Sequence, residues 1–207
     1  MLKVTYLGTT TLLFDDGTDQ ILFDAHVTRP SLIKYIFRAK QSTNKALCDE
    51  IIKQHNIDRL RAIFVSHTHH DHVIDAPYIA NKCKADIYGS ESARNVALGG
   101  NVKEGNIKVF KHGDSFEIGK YKISILTSKH SKPTILNNDL GVPIEKPVVQ
   151  PAKLSDYKEG GSYDFYIEYE DKKILIRPSF NYIEGQLDGI KADVLFLGVA
   201  GLAKADE

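Results

Sequence analysis

The chain has 207 residues, 42% of them hydrophobic, so it can bury a sizeable core and is predicted to form a single domain over residues 1–207. Lys plus Arg and Asp plus Glu both number 27, which gives a formal net charge of +0 and argues against a polyanionic partner such as nucleic acid. The apolar runs are too short to span a bilayer core of roughly 30 Å, and Cys48 and Cys83 have no neighbouring cysteine. A cytoplasmic protein without a membrane span is therefore expected.

The first half of the chain is predicted to begin with strands and continue with helices. Apolar residues alternate at 3–7 and 11–14, and a turn at 15–17 precedes a third strand at 20–23, as in an antiparallel meander. Three- and four-residue apolar spacing predicts helices at 31–40 and 44–55.

The rest of the chain is predicted to mix strands and helices. A strand at 61–65, a helix at 76–82, a strand at 85–88 and a helix capped by Ser90 come first. Further strands are predicted at 107–110, 121–127, 163–169, 173–176 and 194–197. The proline-bearing segment 131–161 has no periodicity, which is typical of a functional or mobile loop. This order favours a layered α/β or α+β domain.

A cluster of metal-ligating residue types directly follows the strand at 61–65. Four histidines and one aspartate occupy six positions, in the sequence His67-Thr68-His69-His70-Asp71-His72. Residues two apart in an extended chain point the same way, so His67 and His69 can face one ion while His70 points away. As the chain turns towards the next helix, Asp71 and His72 would face a second ion, about 3.5–4 Å from the first.

The first ion needs one more ligand, because catalytic zinc usually takes three protein ligands and keeps one position open. His130, just past the strand at 121–127, is the candidate. Imidazole and carboxylate together favour Zn²⁺, with Mn²⁺ or iron as substitutes. The alternative interpretation, surface histidines in a polar loop, does not explain five such groups in this arrangement.

The arrangement His67-x-His69-x-Asp71-His72 with a later His130 resembles the metallo-β-lactamase superfamily. The opening strands, with Tyr6-Leu7-Gly8 and Ile21-Leu22-Phe23-Asp24, are also similar to that family, so the resemblance covers essentially the whole chain. It implies an α+β fold, a four-layer αββα sandwich with the metals at one edge between two sheets.

Two ligands found in many members of that family are not evident. Ser179 stands where a metal-bridging aspartate would follow the strand at 173–176, and no histidine follows His130. The stretches 178–181 and 192–198 are similar to an uncharacterised branch whose members continue through a helix to a histidine-bearing strand. The resemblance therefore implies a C-terminally shortened chain without the last helix and strand, and a mononuclear or weakly occupied second site.

These residues predict a hydrolase in which a metal-activated water attacks an ester, lactone, amide or phosphodiester. Asp71 would be the catalytic residue that orients the water or accepts its proton. Resemblance to the lactonase-like and phospholipase D-like branches ranks small-molecule phosphodiesters and lactones above β-lactams. Two alternatives stay open: a degenerate metal-binding module without turnover, and oxygen or thiol redox chemistry on iron.

Four more residues are candidates for supporting roles. Asp24 could fix a ligand imidazole and His26 could assist the reaction, although a strand-end aspartate and a polar loop histidine are the simpler interpretations. Ser179 could hold water or a substrate oxygen. Arg177 could recognise an anionic group or could simply end a strand at the surface. A shortened chain would also expose its last strand, so pairing into a homo-oligomer is a further expectation.

Overall fold

The computed structural model describes residues 1–29, 39–131 and 138–199, and two β-sheets dominate it. The first sheet has six strands in chain order: β1 (Lys3–Gly8), β2 (Thr11–Asp15), β3 (Gln20–Phe23), β4 (Leu60–Phe64), β5 (Asp86–Gly89) and β6 (Ile107–Val109). The second has five strands in the order β11-β10-β9-β8-β7: β7 (Ser115–Ile118), β8 (Tyr121–Thr127), β9 (Tyr163–Tyr169), β10 (Lys172–Arg177) and β11 (Val194–Leu197).

The strand directions in the first sheet bring several loops to one edge. Strands β1, β2 and β3 form the predicted antiparallel meander, and β3, β4, β5 and β6 then run parallel. In a parallel sheet the carboxyl ends of neighbouring strands lie at the same edge. Because Phe23 pairs with Phe64, the residues that follow β3 and β4 emerge side by side.

The two faces of the first sheet separate two cores. Side chains alternate across a strand, so Leu13, Leu22 and Ile63 face the helices, and their neighbours Phe14, Phe23 and Phe64 face the second sheet. The ring centroids of Phe23 and Phe165 lie 5.2 Å apart across the two sheets. This aromatic packing holds the two sheets together as a sandwich.

The helices in the described ranges are α1 (Lys45–Gln54), α2 (His70–Val73), α3 (Ala76–Cys83) and α4 (Glu91–Gly99). Asn44 and Ser90 cap α1 and α4, since their side-chain oxygens accept the amides of Leu47 and Ala93 at 3.1 and 3.4 Å. All four contribute buried residues to the core on the helix side of the first sheet. None of them is long and apolar enough to cross a membrane. Cys48 in α1 and Cys83 in α3 are both free thiols.

The predicted α+β sandwich is confirmed, and the described residues form three of its four expected layers: helices, six-stranded sheet and five-stranded sheet. The helix predicted at 31–40 lies almost wholly outside the described residues. Among the strands and α-helices, two elements were not predicted. Strand β7 has only four residues to carry its alternation, and α2 is a single turn, too short to show helical periodicity.

Candidate metal centre

The histidine-rich loop lies where the edges of the two sheets meet. It leaves β4 at the carboxyl edge of the first sheet, and the amide of Val65 is bonded to the carbonyl of Tyr88 at 2.8 Å. The second sheet approaches from the other side, because the amide of Tyr163, the first residue of β9, donates to the carbonyl of Ser66 at 3.0 Å. His130 follows β8 of that second sheet. Residues from both sheets therefore reach the loop.

Three histidines converge at this place. One ring nitrogen from each of His67, His69 and His130 lies within 4.8 Å of the others. The ring centroids are 4.8 to 5.0 Å apart, and the ring planes are close to perpendicular, at 77° to 88°. His67 and His69 are buried and His130 is half-buried. The group could hold a cation, because three imidazole nitrogens are a common ligand set for zinc.

Within the described residues, each of these rings makes a hydrogen-bond contact through one nitrogen, so the other nitrogen is the candidate ligand atom. His67 Nε2 is buried and has no hydrogen-bond partner among the described residues, while its Nδ1 lies 3.2 Å from Ser66 Oγ. His130 Nδ1 lies 3.0 Å from the carbonyl of Ser131, and His69 Nε2 lies 3.0 Å from Asp139 Oδ1. An unpaired buried nitrogen is costly, so His67 fits a site completed by an ion.

Burial keeps His67 and His130 in the neutral form that binds metal. It lowers the pKa of His67 well below the usual range, and the neighbouring His72, His69 and His130 lower it further. Burial also lowers the pKa of His130, partly offset by its bond to the Ser131 carbonyl. At neutral pH both rings therefore keep a lone pair available.

Asp71 and His72 lie beside this group, on the first turn of α2. The ring of His72 is 3.7 Å from that of His67, and its Nε2 is 3.9 Å from Asp71 Oδ2. Burial alone would raise the pKa of Asp71, but His72, His70 and His26 lower it to about 2, so Asp71 is a carboxylate. Burial alone would lower the pKa of His72. The negative charges of Asp24 and Asp71 outweigh this effect, so the pKa of His72 is raised.

Asp24 holds the loop that follows β4 in place. It has a positive φ of 53°, and its amide donates to the Phe64 carbonyl at 2.8 Å. Oδ1 accepts the amide of Ser66 at 2.8 Å. Oδ2 accepts the hydroxyls of Thr10 and Ser66 at 2.6 and 2.9 Å, and lies 2.7 Å from His72 Nδ1. Because Nδ1 of His72 contacts this buried carboxylate, Nε2 on the opposite side of the ring points away from Asp24. Thr10 and Ser66 carry no sequence signal for this role.

His26 presents an unpartnered nitrogen next to the loop. Its Nδ1 lies 2.7 Å from Arg29 Nη1 and 3.0 Å from Thr9 Oγ1. Arginine only donates, so Nδ1 accepts and the proton of the neutral ring is on Nε2, which is buried with no partner among the described residues. Burial, and then Arg29, lower the pKa of His26 to about 3. Arg29 packs against Gly8, where a Cβ would come within 2.2 Å of Nη2.

Arg177 and Ser179 lie inside the protein and are not exposed at its surface. The Arg177 side chain is only 11% exposed; Nε donates to Asp164 Oδ2 at 3.0 Å and Nη2 to the Asn181 carbonyl at 2.7 Å. The Asn181 amide in turn donates to the carbonyl of His130 at 3.0 Å. Arg177 therefore ties the end of β10 to the segment that carries His130. Ser179 is buried in the stretch that directly follows β10.

Comparison with known proteins identifies the family of this chain. A family profile described as "Beta-lactamase superfamily domain" matches residues 19–204. The chain therefore belongs to the β-lactamase superfamily. A protein of Roseiflexus sp. (strain RS-1) named as a metal-dependent hydrolase is 25% identical over 119 residues, which are 58% of this chain and 48% of that protein.

Solved structures show the same fold. The metallo-β-lactamase fold protein YhfI from Bacillus subtilis matches with a TM-score of 0.51 and 17% identity, over 85% of this chain and 62% of YhfI. The subclass B3 metallo-β-lactamase BJP-1 of Bradyrhizobium japonicum matches with a TM-score of 0.52 and 15% identity, over 100% of this chain and 80% of BJP-1. The chain spans about half the length of the Roseiflexus protein and less than two thirds of YhfI.

Proposed function

We propose that this chain carries the metal site of a hydrolase that acts on a small-molecule ester, lactone or phosphodiester. The observation that carries the proposal is the convergence of one nitrogen each from His67, His69 and His130 within 4.8 Å. The buried Nε2 of His67 has no hydrogen-bond partner within residues 1–29, 39–131 and 138–199, which supports a ligand at this point, since a core histidine would normally be hydrogen-bonded. The name of the Roseiflexus relative points to the same class of activity.

The three histidines suit Zn²⁺, with Mn²⁺ or iron as substitutes, because three neutral imidazoles leave one coordination position open. When bound, such an ion supplies Lewis acidity and lowers the pKa of a coordinated water to about 7. Asp71 and His72 would hold a second, weaker site, for which the described residues offer one carboxylate and one imidazole.

Asp71 would act by orientation more than by proton transfer. Its pKa of about 2 makes it a poor base at neutral pH, but leaves it a hydrogen-bond acceptor able to align a nucleophilic water. His26 would complement it as a donor, since its Nε2–H has no partner in the described part of the chain and its ring lies 6.1 Å from that of His70. A neutral donor of this kind stabilises an oxyanion that develops during ester or phosphodiester cleavage.

A second candidate function is a metal-binding module without turnover. It is favoured by Ser179, which stands where the resemblance places a metal-bridging aspartate, and by the internal pairing of Arg177 with Asp164. A module of this kind would keep the three histidines and bind metal, but it would lack the second ion and an anion-binding arginine.

The test combines metal analysis with a substrate panel. Purified protein would be loaded with Zn²⁺ or Mn²⁺, its bound metal counted by mass spectrometry, and hydrolysis measured on bis(4-nitrophenyl) phosphate, a γ-lactone and 4-nitrophenyl acetate. We expect about one tightly bound ion per chain and turnover of at least one substrate. His67→Ala should lose both, and His112→Ala, outside the cluster, should lose neither. Metal without turnover on any substrate would favour the module, and no bound metal would refute both.

A further inference from the structure

Asp139 contacts one of the three converging histidines from a distant part of the chain. Its Oδ1 lies 3.0 Å from His69 Nε2, and the two side chains are only 18% and 8% exposed. We propose that Asp139 is a positioning residue that fixes the tautomer and the orientation of His69, so that its Nδ1 faces the metal site. The inference rests on the proposed function, because it assigns a role towards that site.

The chemistry of the pair decides which nitrogen is available. A neutral imidazole has one N–H and one lone pair, and a carboxylate can only accept. The hydrogen bond to Asp139 therefore places the proton on Nε2 and the lone pair on Nδ1 of His69. The negative charge on the far side of the ring makes that lone pair more basic, and so a better ligand.

In the other two histidines, Nε2 and not Nδ1 is the candidate ligand atom. His67 Nε2 has no partner among the residues that the structure describes, and His130 bonds through Nδ1 to the Ser131 carbonyl, which makes Nε2 its candidate ligand atom. Only His69 is expected to offer Nδ1. Because His67 would use Nε2 and His69 would use Nδ1, two histidines separated by one residue can both reach one ion from a short loop.

The turn that carries Asp139 is anchored by a buried acid that the sequence reasoning did not single out. Glu159 is 4% exposed; its Oε2 accepts the amide of Gly141 at 2.6 Å and its Oε1 the hydroxyl of Ser162 at 2.5 Å. The amide of Val142 donates to the carbonyl of Asp139 at 3.0 Å, which closes the turn. Asp139 is thus held at a defined place.

The same anchor also holds the histidine loop. The carbonyl of Glu159 accepts the amide of Thr68, between His67 and His69, at 2.9 Å. Gly160 follows with φ +67°, and a Cβ there would lie 2.5 Å from Thr68 Oγ1, so only glycine fits this approach. Because one segment fastens both the histidine loop and the Asp139 turn, the contact between Asp139 and His69 is built into the fold.

The first test measures metal affinity. Zn²⁺ binding by the wild type, Asp139→Ala, Asp139→Asn and Asn138→Ala would be compared by competition with a chromophoric chelator. Asp139→Ala should bind about 10- to 100-fold more weakly than the wild type. Asp139→Asn should recover part of the loss, because its amide oxygen can accept the same hydrogen bond without the charge. The exposed neighbour Asn138→Ala is the matched control and should bind as the wild type does.

The second test reads the tautomer without metal. In ¹⁵N-labelled, metal-free protein, NMR of the His69 ring should show the proton on Nε2 in the wild type and a mixture of tautomers in Asp139→Ala. A wild-type ring protonated on Nδ1, or an affinity of Asp139→Ala equal to that of the wild type, would overturn the role of Asp139. Should Asp139→Ala fail to fold by circular dichroism, the Zn²⁺ affinity of Asp139→Asn decides the question: weaker binding than the wild type supports the role of Asp139, and equal binding overturns it.

The two proposals fail in different ways. If the wild type binds no Zn²⁺, the metal site is wrong and the role of Asp139 falls with it. If the wild type binds Zn²⁺ and both Asp139 variants bind equally well, the metal site stands and only Asp139 loses its role.

Discussion

His72 Nδ1 lies 2.7 Å from Asp24 Oδ2, although 48 positions separate the two residues in the chain. The contact follows from the parallel pairing of β3 with β4, which ends both strands at one edge of the sheet. Asp24 leaves β3 and bonds to Ser66 just after β4, so one carboxylate fixes both the start of the histidine loop and its last histidine.

Replacing Asp24 should therefore destabilise the protein. Asp24→Asn keeps an oxygen for the Ser66 amide but loses the charge that accepts from Thr10, Ser66 and His72. We expect the free energy of unfolding to fall by about 2–4 kcal/mol. Hydrogen bonds to a charged group contribute about 1.5–3 kcal/mol each, and the amide oxygen of the variant retains part of this contribution. Urea denaturation would measure the change. Thr10→Ala, which removes one donor, should cost about 1 kcal/mol; equal stability of all three proteins would contradict this role.

Zinc should stabilise the folded protein through the three histidines. Binding that is restricted to the folded state adds about 2.7 kcal/mol when free Zn²⁺ is a hundredfold above Kd. The midpoint of thermal unfolding should rise with Zn²⁺ in the wild type, and the rise should disappear after removal of the metal with a chelator. His130→Gln should abolish most of the shift and His112→Gln should keep it. An unchanged shift in His130→Gln would exclude His130 as a ligand.

His26 should affect turnover while leaving metal binding unchanged. Its Nε2–H is the proposed donor, so His26→Phe, which keeps a planar ring but has no N–H, should lower kcat on a substrate of the panel by about 10²-fold. His26→Gln retains an N–H group and should lose less. Metal content should match the wild type in both variants. A kcat in His26→Phe equal to the wild-type value would leave His26 with a packing role.

Asp164 should make stability depend on pH in the acid range. Burial raises the pKa of this carboxyl to about 6, with Ser128 and Arg177 opposing the shift, against a reference value of 3.8. The folded state thus holds the proton more tightly than the unfolded state, and the contribution of Asp164 to stability falls as pH rises from about 4 to about 6. The free energy of unfolding loses at most about 3 kcal/mol over this range, because each unit of difference between the folded and unfolded pKa corresponds to about 1.4 kcal/mol.

The matched variant for that effect is Asp164→Asn, whose amide does not ionise. Chemical denaturation of both proteins between pH 4 and pH 7 should give a difference in unfolding free energy that favours the wild type most strongly at pH 4. A difference that is constant across this range would show that the carboxyl of Asp164 does not titrate there.

Much of the fold could be predicted from local patterns. Strands β8, β9 and β11 have the predicted boundaries, because alternation with a period of two is strong over residues 121–127 and 163–169 and a short apolar run marks 194–197. The helix predicted at 44–55 is confirmed as α1, Lys45–Gln54, with Asn44 and His55 at its two ends as the capping residues. Strand β7 was missed because only four residues carry its pattern.

By itself the sequence determined that His67 and His69 face the same way and that a cluster of metal-ligating residue types follows a central strand, because the first depends on local backbone geometry and the second on residue order. Tertiary structure alone decided that His130 turns towards them, that Asp24 bonds to His72, and that Asp139 meets His69 across 70 positions of the chain. Those contacts depend on strand pairing within the first sheet, on the face-to-face packing of the two sheets, and on where the segment that carries Asp139 is anchored. No periodicity in the chain encodes such distances.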